Sequence, residues 1–295
     1  AASRSVALEK GTVQLTQWTD VEFFDVPRLK GLPHLEMTTR GYELFAPHLW
    51  IELNNRVAPM NDKRFRQAVA HALDKTTMKN RLFFGLGKEA TGPISSKTRF
   101  YDGNVKKYEY SLDKARALLD DMGLKAGPGG KRVTIKFLVV PFGEIWQRIA
   151  EFVRQSLGRV GIEVVLEGTD VAGWGQKVSN WEYEMTSNLL YQLGDPALGV
   201  SRSYVTSNIR KGVLFSNTQG YSNPEADKLW EAAAVATDDA KRQELYSQVQ
   251  KMVVEDIPLV WLIEQDYPTF HDKKLKNVIT SAIGVHETFG AVQFG

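Results

Sequence analysis

The chain has 295 residues with 43% hydrophobic and 11% aromatic content, enough to bury a full core as one large or two ordinary domains. A charged fraction of 24%, a net charge of +2 and no block of five or six like charges give no field able to hold a polyanion, which makes nucleic acid and a membrane surface poor candidates as partners. Cysteine is absent, which excludes disulfides, iron–sulfur clusters and cysteine-ligated zinc but leaves the compartment open.

In chain order, the opening Ala1-Ala-Ser-Arg-Ser-Val-Ala-Leu-Glu-Lys-Gly11 reads as the end of a helix with its glycine terminator. No secretory leader is visible, and no apolar run is long enough to span a bilayer. Residues 47–54 (Pro-His-Leu-Trp-Ile-Glu-Leu-Asn) read as a strand. In Pro59–Asp74, Asp62 is placed to accept from the free N–H groups of the next turn, and Ala68, Val69, Ala72 and Leu73 recur at helical spacing, so a helix begins there. Ser111 starts another, with Ala115, Leu118 and Leu119 on one face until Gly123 stops it. Lys125–Lys131 is a turn-rich break.

Residues 133–140 (Val-Thr-Ile-Lys-Phe-Leu-Val-Val) alternate and then become continuously apolar, the pattern of a strand near the middle of a sheet. A helical stripe of Ile145, Ile149, Phe152, Val153, Leu157 and Val160 leads to the strand Ile162–Leu166, completing a strand–helix–strand unit. Tyr183–Tyr191 is a further strand, from which the chain departs through Gln192-Leu-Gly-Asp-Pro196, the residue before proline being pushed out of the helical region. Asn223 caps a helix with Pro224 at its first position and Ala226, Leu229, Trp230 and Ala233 inside. A helix with Leu245, Val249, Met252 and Val253 apolar follows, then the strand Ile257–Ile263 and a mixed strand and loop tail. This alternation predicts an α/β fold with a largely parallel or mixed sheet flanked by helices.

Several of these segments carry a family likeness. Pro59-Met-Asn-Asp-Lys-Arg-Phe-Arg-Gln-Ala-Val-Ala-His-Ala-Leu-Asp74 resembles the signature of the extracellular solute-binding proteins that feed ABC importers of peptides, nickel and opines. Ser111–Gly123, Gly220–Asp227 and the stretch from Lys241 to Pro258 are similar to further motifs of that family, in family order, across roughly residues 8–278. The resemblance implies a periplasmic-binding-protein type II-like lobe in a chain truncated at its N-terminus. Residues 1–40 would be a remnant of the first lobe and hinge, 41–263 the second lobe, and 264–295 a return segment belonging to the first. The opening segment is similar to one that in the family ends Gly-Glu-Val-Asp, although here it reads Gly11-Thr-Val-Gln14. Also implied are a small-molecule or peptide solute held between two lobes, ABC permease subunits as partners, no cofactor, and a periplasmic or lipid-anchored extracellular location. Any export signal or anchor would lie in the missing N-terminal part.

No catalytic constellation emerges. The histidines at 34, 48, 71, 271 and 286 have no two-ligand spacing for zinc, there is no Gly-x-Ser-x-Gly elbow, and Gly127-Pro-Gly-Gly-Lys131 has the wrong spacing for a phosphate loop. Ligands in α/β folds gather at the carboxyl ends of strands, which directs attention to Asn188, Leu189, Leu190, Tyr191, Gln192 and Asp195. By the resemblance, Gln192 stands where the family carries an Asp that binds a peptide's α-amino group; an amide accepts a hydrogen bond without supplying a full charge. Asp195 either braces the loop by accepting backbone N–H groups or touches ligand. Trp174 resembles a cleft aromatic and is read either as a stacking platform or as a core residue. Arg202 is either a partner for a ligand carboxylate or phosphate or a solvated arginine. Two rival readings remain: an α/β enzyme with an unrecognised cleft, and an interaction module reusing the fold without a solute.

Overall fold

The computed structural model describes residues 2–295, so Ala1 of the opening helical segment lies outside the described residues. The strands are β1 (Leu15–Thr16), β2 (Leu35–Thr38), β3 (His48–Leu53), β4 (Lys88–Glu89), β5 (Val133–Leu138), β6 (Ile162–Glu167), β7 (Met185–Leu190), β8 (Leu259–Glu264), β9 (Thr269–Asp272), β10 (Leu275–Lys276) and β11 (Gln293–Phe294). The helices are α1 (Ala2–Glu9), α2 (Val26–Lys30), α3 (Lys63–Ala72), α4 (Lys75–Leu82), α5 (Leu112–Asp121), α6 (Glu144–Gly158), α7 (Val171–Ser179), α8 (Pro196–Gly199), α9 (Pro224–Val235) and α10 (Asp239–Asp256).

Short polar side chains write most of the helix starts, because each accepts from an N–H that the helix cannot satisfy itself. Asp62 receives Arg64 N at 2.8 Å to open α3, Asp74 receives Thr77 N at 2.9 Å to open α4, and Ser111 receives Lys114 N at 3.3 Å to open α5. Asn223 and Asp238 cap α9 and α10 in the same way.

A six-stranded mixed sheet runs in the order β4-β8-β3-β7-β5-β6. β3 is antiparallel to both β7 and β8, while β5 is parallel to β6 and β7. The parallel β5–α6–β6 unit is the strand–helix–strand unit expected from its periodicity. Within β5 the alternating half, residues 133–136, pairs only with β6, whereas Phe137 and Leu138 also pair with β7, and there the apolar run becomes continuous. Every residue of β3 and β8 is buried, since helices cover both faces of the sheet centre. The strand expected from Ile257 starts two residues late: Ile257 closes α10 in the left-handed region (φ 42) and Pro258 has no N–H to donate.

A second, three-stranded antiparallel sheet joins chain segments far apart in sequence, in the order β1-β9-β2, and β10 pairs with β11 beside it. It has its own apolar core of Leu8, Val21, Val26, Leu29, Leu35 and Phe270. The two sheets meet near the carboxyl ends of β7 and β8, where His48 of β3 lies opposite Leu190 on one side and Glu264 on the other. Gly41 and Gly284 touch at this junction: a Cβ on Gly41 would lie 2.6 Å from the Gly284 Cα, and both residues have positive φ.

Candidate functional site

The end of β7 distributes its side chains between the interior and one open face. Asn188 points inward, 4% exposed, and donates to Glu52 Oε2 at 3.0 Å. The Glu52 carboxylate, itself buried, also accepts from the Tyr183 hydroxyl at 2.6 Å and from the Thr218 hydroxyl. Leu190 is buried, Leu189 is partly covered, and Tyr191 emerges with 36% of its surface exposed. Partial burial raises the pKa of its phenol.

Gln192, expected to meet a solute, instead clamps the loop. Its Oε1 accepts from Ser95 N at 2.7 Å and Thr98 Oγ1 at 3.1 Å, and its Nε2 donates to Pro93 O at 2.9 Å and His48 Nδ1 at 2.6 Å. Both lone pairs and both amide hydrogens are used within the protein, and the residue is 3% exposed, so it has no hydrogen-bonding capacity left for a ligand amine. The bond to His48 makes Nδ1 the acceptor, and burial, aided by the charge of Lys75, holds that imidazole down to about 3.

Asp195 takes the bracing alternative. It caps α8 by accepting from Ala197 N at 3.0 Å, and Arg242 Nη2 reaches both its carboxylate oxygens at 2.9 and 3.0 Å. Trp174 lies on α7, a helix the sequence reading missed, and takes the core alternative. It is 2% exposed, packs with Leu138, Val140, Val178 and Tyr183, and donates from its indole to Thr186 Oγ1 at 3.2 Å. Arg202 stays partly exposed and folds back on the loop, reaching Gly199 O and Tyr191 O at 3.3 Å each. Burial lowers its pKa, and among the described residues it forms no ion pair, so it is a cation without a counter-charge beside Tyr191.

Tyr191 belongs to an aromatic face centred on Trp18. The Trp18 ring lies 4.9 Å from Tyr42, 5.1 Å from Phe45, 5.4 Å from Tyr191, 5.1 Å from Tyr267 and 5.6 Å from His286, centroid to centroid. Its indole N–H donates to His286 Nε2 at 3.0 Å, and its backbone N–H donates to the Tyr42 hydroxyl at 3.0 Å. Trp18 sits at φ 52, a left-handed conformation that costs a bulky residue about 1–2 kcal/mol. Ring packing of this density holds it there. Tyr42 and Tyr267 form the buried back of the cluster, while Trp18, Phe45, Tyr191 and His286 retain exposure. Of these residues the sequence reading named only Tyr191 as a site residue. The others come from separate segments, and no local spacing links them.

A mixed sheet flanked by helices, with an aromatic face at its strand ends, gives the chain a periplasmic-binding-protein type II-like fold. The chain belongs to the family described as bacterial extracellular solute-binding proteins, family 5 Middle, whose model matches residues 1–211. It is 28% identical over 283 residues to the probable D,D-dipeptide-binding periplasmic protein DdpA of Escherichia coli (strain K12), covering 95% of this chain and 52% of that protein. It is 27% identical over 279 residues to the oligopeptide-binding protein AppA of Bacillus subtilis (strain 168), covering 85% of this chain and 47% of that one. In fold it is similar to the periplasmic binding protein DppA from Helicobacter pylori, solved with the peptide STSA, with a TM-score of 0.85 at 22% identity over 99% of this chain and 55% of that one. The chain thus spans about half the length of the relatives it matches.

Proposed function

We propose that this chain supplies one wall of the solute cleft in the substrate-binding component of an ABC importer, a carrier that captures a small oligopeptide-like or related solute and delivers it to membrane permease subunits. The carrying observation is the aromatic face around Trp18, which lies where the two sheets meet at the carboxyl end of β7, the place where α/β folds collect ligands. Family membership supports the same reading, as do relatives named for binding dipeptides and oligopeptides. Aromatic rings offer a large apolar surface at low entropy cost, and the unpaired Arg202 offers a charge for a solute carboxylate.

In this reading the wall spans the junction of the two lobes, with Trp18 and His286 from the first and Phe45, Tyr191 and Arg202 from the second, backed by Leu189 and Leu190, while Gln192, Asp195, Asn188 and Trp174 hold it in place. Residues 1–40 and 264–295 form part of one lobe and residues 41–263 the other. This division is supported by the pairing of β1 and β2 with β9, against the six-stranded sheet formed between residues 48 and 264. The carrier acts in the periplasm or, lipid-anchored, outside the cell, and needs no cofactor or catalytic group.

Mass spectrometry of solute released from the purified full-length protein, followed by isothermal titration with peptides, opines and metal chelates, identifies the cargo. Tyr191→Ala, at a partly exposed ring, is expected to weaken that binding by about tenfold with little change in melting temperature. Unchanged affinity would remove Tyr191 from the wall, and failure to bind any solute of these classes would defeat the carrier reading.

A further inference from the structure

A second concavity lies between α3, α4, the lead into β8 and the strap of residues 107–110. It is a cavity of about 280 Å³ that shares no lining residue with the aromatic face. Ala70, Leu73, Ala90, Ile257 and Val260 make much of its wall apolar. Lys107, Glu109 and Tyr110 form an exposed rim.

Lys75 also lines the cavity and is partly buried. Its ammonium donates to the Ala90 carbonyl oxygen at 3.0 Å, and no salt bridge engages it among the described residues. An ammonium has three donor hydrogens, so two of them lack a protein acceptor. The nearby carboxylates are committed or peripheral. Asp74 accepts from Thr77 N at 2.9 Å and Thr77 Oγ1 at 2.6 Å in capping α4, Glu89 accepts from the Thr76 hydroxyl at 2.6 Å on the exposed edge, and Glu109 is exposed. Burial of this under-compensated cation pulls its pKa down to about 8. A partly buried ammonium whose one protein hydrogen bond goes to a neutral carbonyl, with Glu89 acting only as a charge at longer range, is incompletely compensated, and an anion brought to it would recover that cost.

We propose that this cavity binds a small organic monocarboxylate with an apolar body, its carboxylate taken by the two free donor hydrogens of Lys75 and its hydrocarbon lying on Leu73, Ile257 and Val260. The site shares no residue with the solute cleft. Five charged residues line it, Lys75, Lys107, Asp74, Glu89 and Glu109, and of these Lys75 is the cation set against the apolar floor, while Asp74 is engaged in capping and Glu89, Glu109 and Lys107 lie at the exposed edge.

Phenylacetate, with phenylacetamide as its neutral counterpart, is a suitable probe. The protein is exposed to trace acetic anhydride at pH 8, and the acetylation rate of Lys75 is followed by peptide mass spectrometry. Saturating phenylacetate is expected to slow labelling of Lys75 about tenfold while surface lysines such as Lys228 keep their rate, and phenylacetamide is expected to protect far less. In parallel, Lys75→Met is expected to weaken phenylacetate binding about tenfold or more, as loss of a charge-assisted hydrogen bond requires, whereas Lys75→Arg retains part of it. Equal protection by acid and amide would overturn the proposal, as would unchanged labelling or a Lys75 that never labels. The labelling arm uses the unsubstituted protein, so the answer does not depend on whether a variant folds.

Discussion

Gln192 shows how far a residue's chemistry can depart from its position along the chain. Its place before an Asp-Pro pair suggested contact with a ligand, yet its four hydrogen bonds tie the loop after β7 to Pro93, Ser95, Thr98 and His48. Gln192→Leu fills a similar volume but strands these buried partners. It is expected to lower stability by about 2–4 kcal/mol in urea unfolding. A loss under about 1 kcal/mol would mean that the loop is held by other contacts. The partner histidine adds a pH dependence. His48 titrates near 3 in the fold against 6.5 when unfolded, so between those values the unfolded chain binds the extra proton. Stability is therefore expected to fall as pH drops from about 6.5 toward 3. Lys75 acts at the alkaline end with the same sign. Its folded value of about 8 lies below 10.5, so the cost of burying its charge is full below pH 8 and lifts as pH rises through that window. Urea midpoints measured across pH should show both slopes. Lys75→Met should flatten the upper one, and His48→Gln the lower.

Among elements, those with purely local causes were legible. Caps at Asp62, Ser111 and Asn223, the proline at the start of α9 and the apolar stripe of α6 each lie within a few residues of the structure they specify. Helix α7 was not: two glycines in nine residues depress its intrinsic preference, and it holds because Asp170 caps it and Trp174 and Val178 anchor it to the body. The segment from Gln192 to Gly199 is also set from outside. Leu193 and Gly194 both take positive φ, and a Cβ on Gly199 would fall 2.3 Å from the carbonyl carbon and oxygen of Gln192. Gly199→Ala is expected to cost about 1–3 kcal/mol as the loop shifts, with a lowered thermal midpoint and changed amide shifts at Gln192 and Tyr191. An unperturbed loop in that variant would show that α8 has slack the geometry does not reveal.

For the whole molecule, the decisive feature is the convergence of distant segments. Trp18, Tyr42, Phe45, Tyr191, Tyr267 and His286 meet in one aromatic face, and β9 completes a sheet with strands more than 200 residues earlier. In the proposed carrier, closure is driven by contacts made with both lobes around the cleft, and this chain, which holds only part of the first lobe, supplies only part of them. Isothermal titration with the cargo should accordingly find this chain binding at least a hundredfold more weakly than the full-length protein. Submicromolar affinity in the 295-residue chain alone would contradict the two-lobe account.

The amino-acid sequence by itself determined the class of fold, the order of the principal strands and helices along the chain, and a family membership carried by capped helices, because caps and periodicities act over one or two turns. Only the tertiary structure decided which side chains share a surface. Whether Tyr191 faces outward while Gln192, Asn188 and Trp174 turn inward depends on sheet order, on register, and on partners such as Pro93, Glu52 and Thr186. These pairings are set by packing between segments far apart in the chain, and no local pattern encodes them.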